Sequence, residues 1–422
     1  MASEQPRTTI KVAVIGGGPA GLGAAIALSR LPFVDWKLYE KKPEISEIGN
    51  GLTLQPITWR VLEHFGASHH IKSSDIFRPL DGHNTEHRNG LSGVLIAKAA
   101  PKEGVPPHQE SCRAHRSVLQ QALLKEVDQS RIRVGKKLEN VEKLSSGKLR
   151  ITFAGGLSDE VDLLVGADGI RSVVRQFFFP EHRIAYTGST AYRTLVRTDE
   201  AEKINGLPKA VIFWHGTDKK WVYTCPLGGN DWEITCAVAE PGGENRSSWG
   251  KQASVKHFTD TFSEMCQPIQ ELFKLVTYVE QYDYFAGPRL DSVTRDGVAV
   301  LIGDASHPLS GAFGAGAGFA LEDAYVLGQA LQWANDTHRE LKHALQLFDQ
   351  VRSPHYSALY KVLDEFGDTE KYLAKAGLNQ EEEIAERIKR NWGHNANWMH
   401  YYEVDKAFKQ VLSKVESQTA KL

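Results

Sequence analysis

The chain has 422 residues, 41% of them hydrophobic and 24% charged, which is too long for one ordinary core of about 100–200 residues and apolar enough for two to three packed units. Fifty Lys and Arg against 52 Asp and Glu leave a formal charge of −2, so there is no broad basic field to hold nucleic acid. The four cysteines, Cys112, Cys225, Cys236 and Cys266, lie far apart with no CxxC pair, which disfavours a structural zinc site or dithiol centre and suits a reducing compartment.

The first nine residues are polar and lead straight into Ile10 to Ile15 (IKVAVI), a short β-branched run of the kind buried on both faces of a parallel sheet. Gly16-Gly17-Gly18-Pro19-Ala20-Gly21 follows, then an Ala-rich helix over Leu22 to Leu28 and a strand from Trp36 to Tyr39 that ends in Glu40. After a Gly-rich turn, Trp59, Val61, Leu62 and Phe65 give a helical apolar face. Residues 78 to 110 read as loops and short strands, with one aliphatic interruption at Val94 to Ile96. Arg116 to Val127 has helical spacing, and residues 131 to 166 alternate as strands up to Gly166-Ala167-Asp168-Gly169.

From about 183 to 286 the texture changes. Aromatic, alternating segments such as Ala210 to Trp214, Lys220 to Thr224 and Trp232 to Val238 predict an antiparallel sheet, followed by a helical piece over Val255 to Val276. Val298 to Ile302 is again a buried-strand signature, followed by Gly303-Asp304, a glycine-rich loop and a helix beginning near Leu321. Beyond about 340 the periodicity is helical. No stretch reaches the roughly 18–20 apolar residues of a membrane span, so the expectation is a soluble, cytoplasmic protein, monomer or homodimer. Ala420-Lys421-Leu422 is a conservative variant of the Ser-Lys-Leu address and leaves a peroxisomal destination open.

Gly16, Gly18 and Gly21 form GxGxxG between a strand and a helix, where a dinucleotide site needs it. Gly16 makes the tight turn, Gly18 lets the backbone approach a pyrophosphate, and Gly21 allows helix and strand to touch, while the helix N-terminus offers amides and a positive dipole end. Glu40, 19 residues after Gly21, is placed to accept from both ribose hydroxyls. The pair His69-His70 has no companion at metal-ligand spacing, so no metal is expected.

Two further segments, Asp162 to Ser172 (DLLVGADGIRS) and Gly303 to Pro308 (GDASHP), together with the opening glycines, resemble the three hallmarks of the single-component FAD-dependent aromatic hydroxylases. The C-terminal Trp392, Trp398, Tyr401 and Tyr402 look most like the salicylate hydroxylase branch. The resemblance implies an α/β fold: a Rossmann-like FAD-binding domain (8–77, 107–182 and 287–340) with an inserted antiparallel-sheet substrate domain (78–106 and 183–286) and a helical C-terminal segment (341–422). It implies FAD, held through Gly16, Gly18, Ala20, Gly21, Glu40, Lys41, Gly51, Arg116, Asp168, Asp304, Gly314, Gly316, Ala317 and Gly318, with NADH or NADPH as a transient reductant and O2 as co-substrate. No second strand–GxGxxG–helix unit is present for the nicotinamide coenzyme. In that family Asp304 would meet the ribityl chain, the loop Gly314 to Gly318 would run beside the pyrimidine edge, and Pro308 would lie close to the ring whose C4a position forms the oxygenating hydroperoxide.

Salicylate hydroxylases carry a Pro-His-Gln-Gly stretch before the flavin loop, but this chain reads Ser310-Gly311-Ala312-Phe313-Gly314, with Ala312 where the histidine base stands. Arg193 matches an arginine that in some relatives holds a phenolate or carboxylate, and a fixed guanidinium lowers a phenol's pKa. Its alternative role is an ion pair between domains. Tyr223, His215 and Trp214 are candidates for the wall of the ring pocket, with core packing as the competing role. The leading function is NAD(P)H-consuming hydroxylation of a small phenolic or aromatic acid, with loss of its carboxylate when attack is at the ipso carbon. The alternatives are epoxidation or hydroxylation of a larger aromatic or indolic intermediate, and a non-catalytic FAD-fold chaperone. A flavin halogenase and a disulfide reductase lack their motifs here.

Overall fold

The computed structural model of the protein describes residues 9–46, 50–240, 242, 246–309, 314–393 and 396–419. Ala312 with its neighbours and the terminal Ala420-Lys421-Leu422 lie outside them.

Ile10–Ile15 is the centre of a six-stranded sheet because its apolar run can be covered on both faces. It pairs in parallel with Val34–Tyr39 on one side and Leu163–Gly166 on the other, and the sheet continues through Ala299–Leu301 to Thr294–Arg295 and, at the far edge, Ile132–Arg133. The helix Pro19–Ser29 is buried from Ala20 to Leu28, as befits an Ala-rich helix with no polar face. It packs against the helix Gly316–Asp336, where a β-carbon at Gly23 would come within 3.0 Å of Leu321.

The second, eight-stranded sheet takes six strands from Ala185–Ala286 and its last two, Glu86–Asn89 and Leu95–Lys98, from the segment read as loops and short strands. Glu86–Asn89 joins in parallel to Ile212–His215, so the aliphatic interruption at 94–96 is the edge hairpin of this sheet. One face is core: Tyr192, Ile212, Trp214, Val222, Trp232, Ile234 and Cys236 pack under Phe258, Phe262, Ile269, Leu272 and Phe273. Those last residues lie on two short helices, Val255–Thr261, with Phe262 as its C-cap, and Gln267–Phe273, rather than on the single helix expected. Pro268 at the start of the second explains the break, since a proline fits a first turn and interrupts a helix interior.

Three helices, Leu341–Ala376, Gln380–Trp392 and Val404–Thr419, close the C-terminal side. All four cysteines are free and buried. Among the described residues no helix is long and apolar enough to cross a membrane.

Phe258 is fully buried and tilts against Phe262 and Phe273, with ring centroids 5.8 and 4.8 Å away. Phe258→Ala should lower the free energy of unfolding by about 3–5 kcal/mol, measured by denaturant titration.

Candidate active site at the seam of the two sheets

The glycine turn is built as its spacing requires. Gly16 has φ +110°, and a β-carbon there would lie 2.4 Å from the Ala167 carbonyl oxygen, while one at Gly21 would lie 1.9 Å from that of Gly16. Both glycines therefore serve close backbone approach. A β-carbon at Gly18 meets nothing within 4 Å, so the helix N-terminus opens into free space, with the amides of Ala20 and Gly21 in the first turn, where a helix offers no acceptor of its own. Glu40 is buried behind this turn, its carboxylate accepting from the Gly17 amide at 2.7 Å and the Lys42 amide at 2.8 Å, and Lys41 between them is exposed. Gln120 donates to the Gly17 carbonyl at 3.4 Å, and the Arg116 amide donates to Asn50 at 3.2 Å. This cradle, empty of side chain at Gly18 and rich in first-turn amides, fits a dinucleotide pyrophosphate.

Asp168 lies beside this turn but its carboxylate is occupied. It accepts from the Ser172 hydroxyl at 2.5 Å and from the Val173 and Val174 amides at 2.7 and 3.2 Å, at the start of the helix Val173–Phe178. Burial raises its pKa. Asp304 differs: amid buried neighbours it is exposed, and a β-carbon at Gly316 would stand 3.6 Å from its Oδ1. The helix expected from Leu321 begins at Gly316, so Gly316, Ala317 and Gly318 form its first turn rather than a loop. Packing overrides glycine's low helix propensity here, since a β-carbon at Gly318 would strike Ile57 at 2.7 Å and Thr58 at 3.0 Å.

The other wall is the second face of the large sheet. Arg193, Thr235, Tyr223, Phe213 and His87 stand opposite one another on consecutive strands and so share one face. Trp214 has the opposite parity and is core, its indole donating to Thr224 at 2.9 Å, so it does not line this face. Glu233 and Cys225 occupy the neighbouring row. Arg113 reaches them from the strand Cys112–His115: its guanidinium pairs with Glu233, donates to Thr53 Oγ1 at 2.7 Å and to Cys225 Sγ at 3.3 Å, and lies 5.1 Å from the centre of the Tyr223 ring. A β-carbon at Gly51 would come within 2.5 Å of Glu233 Oε2 and 2.7 Å of Arg113 Nη2, and one at Gly314 within 3.4 Å of Thr53 Oγ1. The strand Gly51–Leu54 is thus held between the helix of Gly316 and this sheet face. Pro308 approaches the same sheet at the end of Glu280–Ala286, where its carbonyl accepts from the Gly287 amide at 3.3 Å.

Arg193 sits over the Tyr282 ring at 5.2 Å, and Tyr282 in turn accepts from the Asn50 amide at 3.2 Å, so the guanidinium is next to the Asn50–Gly51 turn. Its Nε is buried with no hydrogen-bond partner among the described residues. Burial pulls its pKa down, but Tyr284, Glu233 and Tyr282 outweigh that, and it is held cationic. Burial would protonate Glu233, yet Arg113 and Arg193 outweigh it and keep the carboxylate ionised. Tyr223, by contrast, is pushed far above the ordinary phenol range, first by burial and against the pull of Arg113. It is a hydroxyl, never a base.

Sequence reasoning missed Arg113, Glu233, Thr53 and Phe213, because the contacts that join them span up to 120 residues. It also missed the companion of His69-His70: Glu126 accepts from or pairs with His70 Nε2 at 2.7 Å, and the three side chains bring ligand atoms within 4.8 Å of one another. The His70–Glu126 hydrogen bond ties the turn after the helix Pro56–Phe65 to the chain just beyond the helix Arg116–Leu124.

The FAD binding domain family matches residues 9–359. The chain belongs to this family. Salicylate hydroxylase of Pseudomonas putida is 26% identical over 420 residues, covering 92% of this chain and 93% of the relative. FAD-dependent monooxygenase pigN of Monascus ruber is 30% identical over 351 residues, covering 78% and 77%. A solved salicylate hydroxylase substrate complex superposes with a TM-score of 0.79 at 22% identity over 96% of this chain and 98% of that one, a likeness of fold. The protein is an FAD-dependent monooxygenase of the salicylate hydroxylase branch, and its cofactor is FAD.

Glu233→Ala leaves Arg113 and Arg193 without their shared anion and should cost about 3–5 kcal/mol of stability, with Glu233→Gln costing less, both read by denaturant titration. His87 Nδ1 and His215 Nε2 are 3.0 Å apart and share one proton. Burial lowers His87 from 6.5 to about 3, and burial with His87 lowers His215 well below its ordinary value. Because the folded values are depressed, this stability is complete above the unfolded value of about 6.5 and is lost as pH falls toward the folded one. The fall in unfolding free energy between pH 7 and pH 4.5 should be smaller in His87→Phe than in the parent.

Proposed function

We propose that this monooxygenase hydroxylates a small phenolic or aromatic acid of the salicylate or hydroxybenzoate kind at the seam between the glycine-rich turns and the large sheet. NADH or NADPH supplies two electrons, one oxygen atom enters the ring and the other leaves as water. Where oxygen enters at the carbon bearing the carboxylate, that group departs as carbon dioxide. Bound FAD supplies the hydride acceptance and oxygen activation.

The observation that carries this reading is the half-buried Arg193 side chain, whose Nε is shut off from solvent with no hydrogen-bond partner among the described residues, beside the Asn50–Gly51 turn. An unpartnered buried donor favours an anionic ligand group, and a phenolate or carboxylate on the ring meets it. Held cationic, Arg193 favours the ionised phenol and so raises electron density on the carbon to be attacked. This offers a way to do without an imidazole at position 312. Tyr223 and Phe213 give the ring an apolar wall that excludes water, and Tyr223 can donate but not accept a proton. On the cofactor side, Gly18, Ala20 and Gly21 would hold the pyrophosphate and Glu40 with Lys41 the ribose end. Arg116 and Gly51 would line the path between them, and Asp304 would meet the ribityl chain. Gly314, Gly316, Ala317 and Gly318 would offer amides to the ring edge that gains negative charge on reduction. Asp168 would support the turn through its capping bonds rather than by direct contact, and Pro308 would close the side toward Gly287.

A larger aromatic or indolic substrate, hydroxylated or epoxidised, is the second reading. It is favoured by the breadth of the aromatic face, in which Phe213 also lies 5.5 Å from Trp221 and 6.1 Å from Trp392.

Coenzyme oxidation with product analysis on salicylate, 4-hydroxybenzoate and indole panels separates the two. Coupled hydroxylation of a simple hydroxybenzoate supports the first, and product only from bicyclic compounds supports the second. In the preferred assay Arg193→Met should raise KM for the hydroxylated aromatic at least tenfold, with Arg193→Lys intermediate. Because Arg193 stays charged and Tyr223 neutral across the working range, the pH profile of kcat/KM should track the pKa of the substrate phenol when substrates of different acidity are compared. A profile fixed at one pH for every substrate would contradict this.

A further inference from the structure

The turn that presents Asp304 is held by a charge cluster shut off from solvent. Asp323 Oδ2 accepts from the Gly303 amide at 2.8 Å, and its Oδ1 accepts from Arg352 Nε at 2.7 Å and the Tyr356 hydroxyl at 2.6 Å. A second Arg352 nitrogen donates to Glu322 Oε2 at 2.9 Å and to the Phe319 carbonyl at 3.4 Å. The side chains of Glu322, Asp323 and Arg352 are all 0% exposed. Gly303 itself has φ +58°, and a β-carbon there would lie 2.9 Å from that of Ala20, so this one turn touches the first glycine helix as well. Its amide is therefore a fixed point between the two glycine-rich segments.

Arg352 and Tyr356 come from the helix Leu341–Ala376, which carries none of the glycine hallmarks. Two carboxylates on consecutive residues of a buried helix need a cation to remain ionised. Burial lowers the pKa of both His355 and His307, although His355 Nε2 stands 3.4 Å from Glu322 Oε2. His355 is sandwiched between Tyr402 at 3.8 Å and Phe319 at 4.4 Å, and His307 stacks on Tyr356 at 4.6 Å. Arg352 is the one guanidinium that meets both carboxylates, which stand two turns into the helix that starts at Gly316.

We propose that Arg352 is a positioning residue of the flavin site: it aims the Asp323 carboxylate at the Gly303 amide and so fixes the turn that presents Asp304 and the amides of Gly316 to Gly318. The inference rests on Asp304 and those amides meeting FAD, but not on which aromatic is the substrate. The long C-terminal helix is thereby part of cofactor binding. The arginine also sets the charge that reduced flavin meets.

The test compares Arg352→Gln, Arg352→Lys and Tyr356→Phe with Arg387→Gln. Arg387 is a buried arginine that pairs with Glu370 at 2.8 Å and with Glu383 at 2.5 Å on the same C-terminal helices. The readouts are FAD affinity of the apoprotein by fluorescence quenching, the flavin midpoint potential without substrate, and thermal unfolding. Arg352→Gln should weaken FAD binding at least tenfold and move the potential to more negative values. Arg352→Lys should recover the potential more than the affinity, and Tyr356→Phe should weaken FAD severalfold. Arg387→Gln should lower the unfolding temperature and leave both flavin readouts alone. If Arg352→Gln does not fold, Tyr356→Phe decides. FAD affinity unchanged in Tyr356→Phe, or weakened as much by Arg387→Gln as by Arg352→Gln, overturns the proposal. All three readouts are taken without substrate, which keeps a failure here separate from a failure of the substrate reading.

Discussion

The pairing of Arg113 with Glu233 joins a small three-stranded sheet on the cofactor side, which contains Gly51–Leu54, to the large sheet. Arg113 stands on a short strand that pairs with Gly51–Leu54 on the cofactor side, and Glu233 lies mid-sheet on the other. Such a pair, removed from water, contributes little net stability compared with apolar residues of the same shape, but it tolerates only one arrangement, because either charge left alone is costly. Gly51, Thr53, Cys225 and Tyr223 all take their places from it. Through Glu233 it also reaches Arg193, whose charge keeps the same carboxylate ionised. One anion thus serves two arginines, and the second is left with a donor to spare.

The same device recurs on the far side of the cofactor turns, where Asp323 and Glu322 share Arg352. In both places the glycines supply room and the buried ions supply aim. Glycine lets backbone approach backbone at Gly16 and Gly21 and takes a positive φ at Gly303, but a turn without side chains is soft. A buried carboxylate that accepts from the turn's own amide makes it stiff. The division explains why residues from outside the glycine segments, on the large sheet and on the C-terminal helix, are needed to complete a site whose outline those segments draw.

That outline was legible because its requirements are local. A φ of +110° at Gly16, a strand apolar on both faces before it and a carboxylate closing the next strand leave direct marks in the sequence. The wall of the pocket was not legible. Alternation assigns Phe213 and Trp214 to opposite faces of a strand, yet both faces of this sheet are covered, so nothing in the order of residues says which one meets the cofactor. Trp214 went to the core and Phe213 to the seam. The start of the helix at Gly316 was hidden for a different reason: glycine propensity opposes a helix, and only packing on Ile57 and Thr58 overrules it. Arg113 with Glu233, Arg352 with Asp323, and Glu126 with the histidine pair are contacts across 120, 29 and 56 residues, and separations of that kind carry no local signal.

The claim on which the account stands is that an aromatic ring is bound between the bound flavin and the Arg193 face of the large sheet. A crystal structure of the FAD-loaded protein with a turned-over hydroxylated aromatic measures this directly. The ring should lie against Phe213 and Tyr223 with its oxygen anion within hydrogen-bond distance of the Arg193 guanidinium. A ring bound elsewhere, or one in that space whose oxygens ignore Arg193, would contradict it.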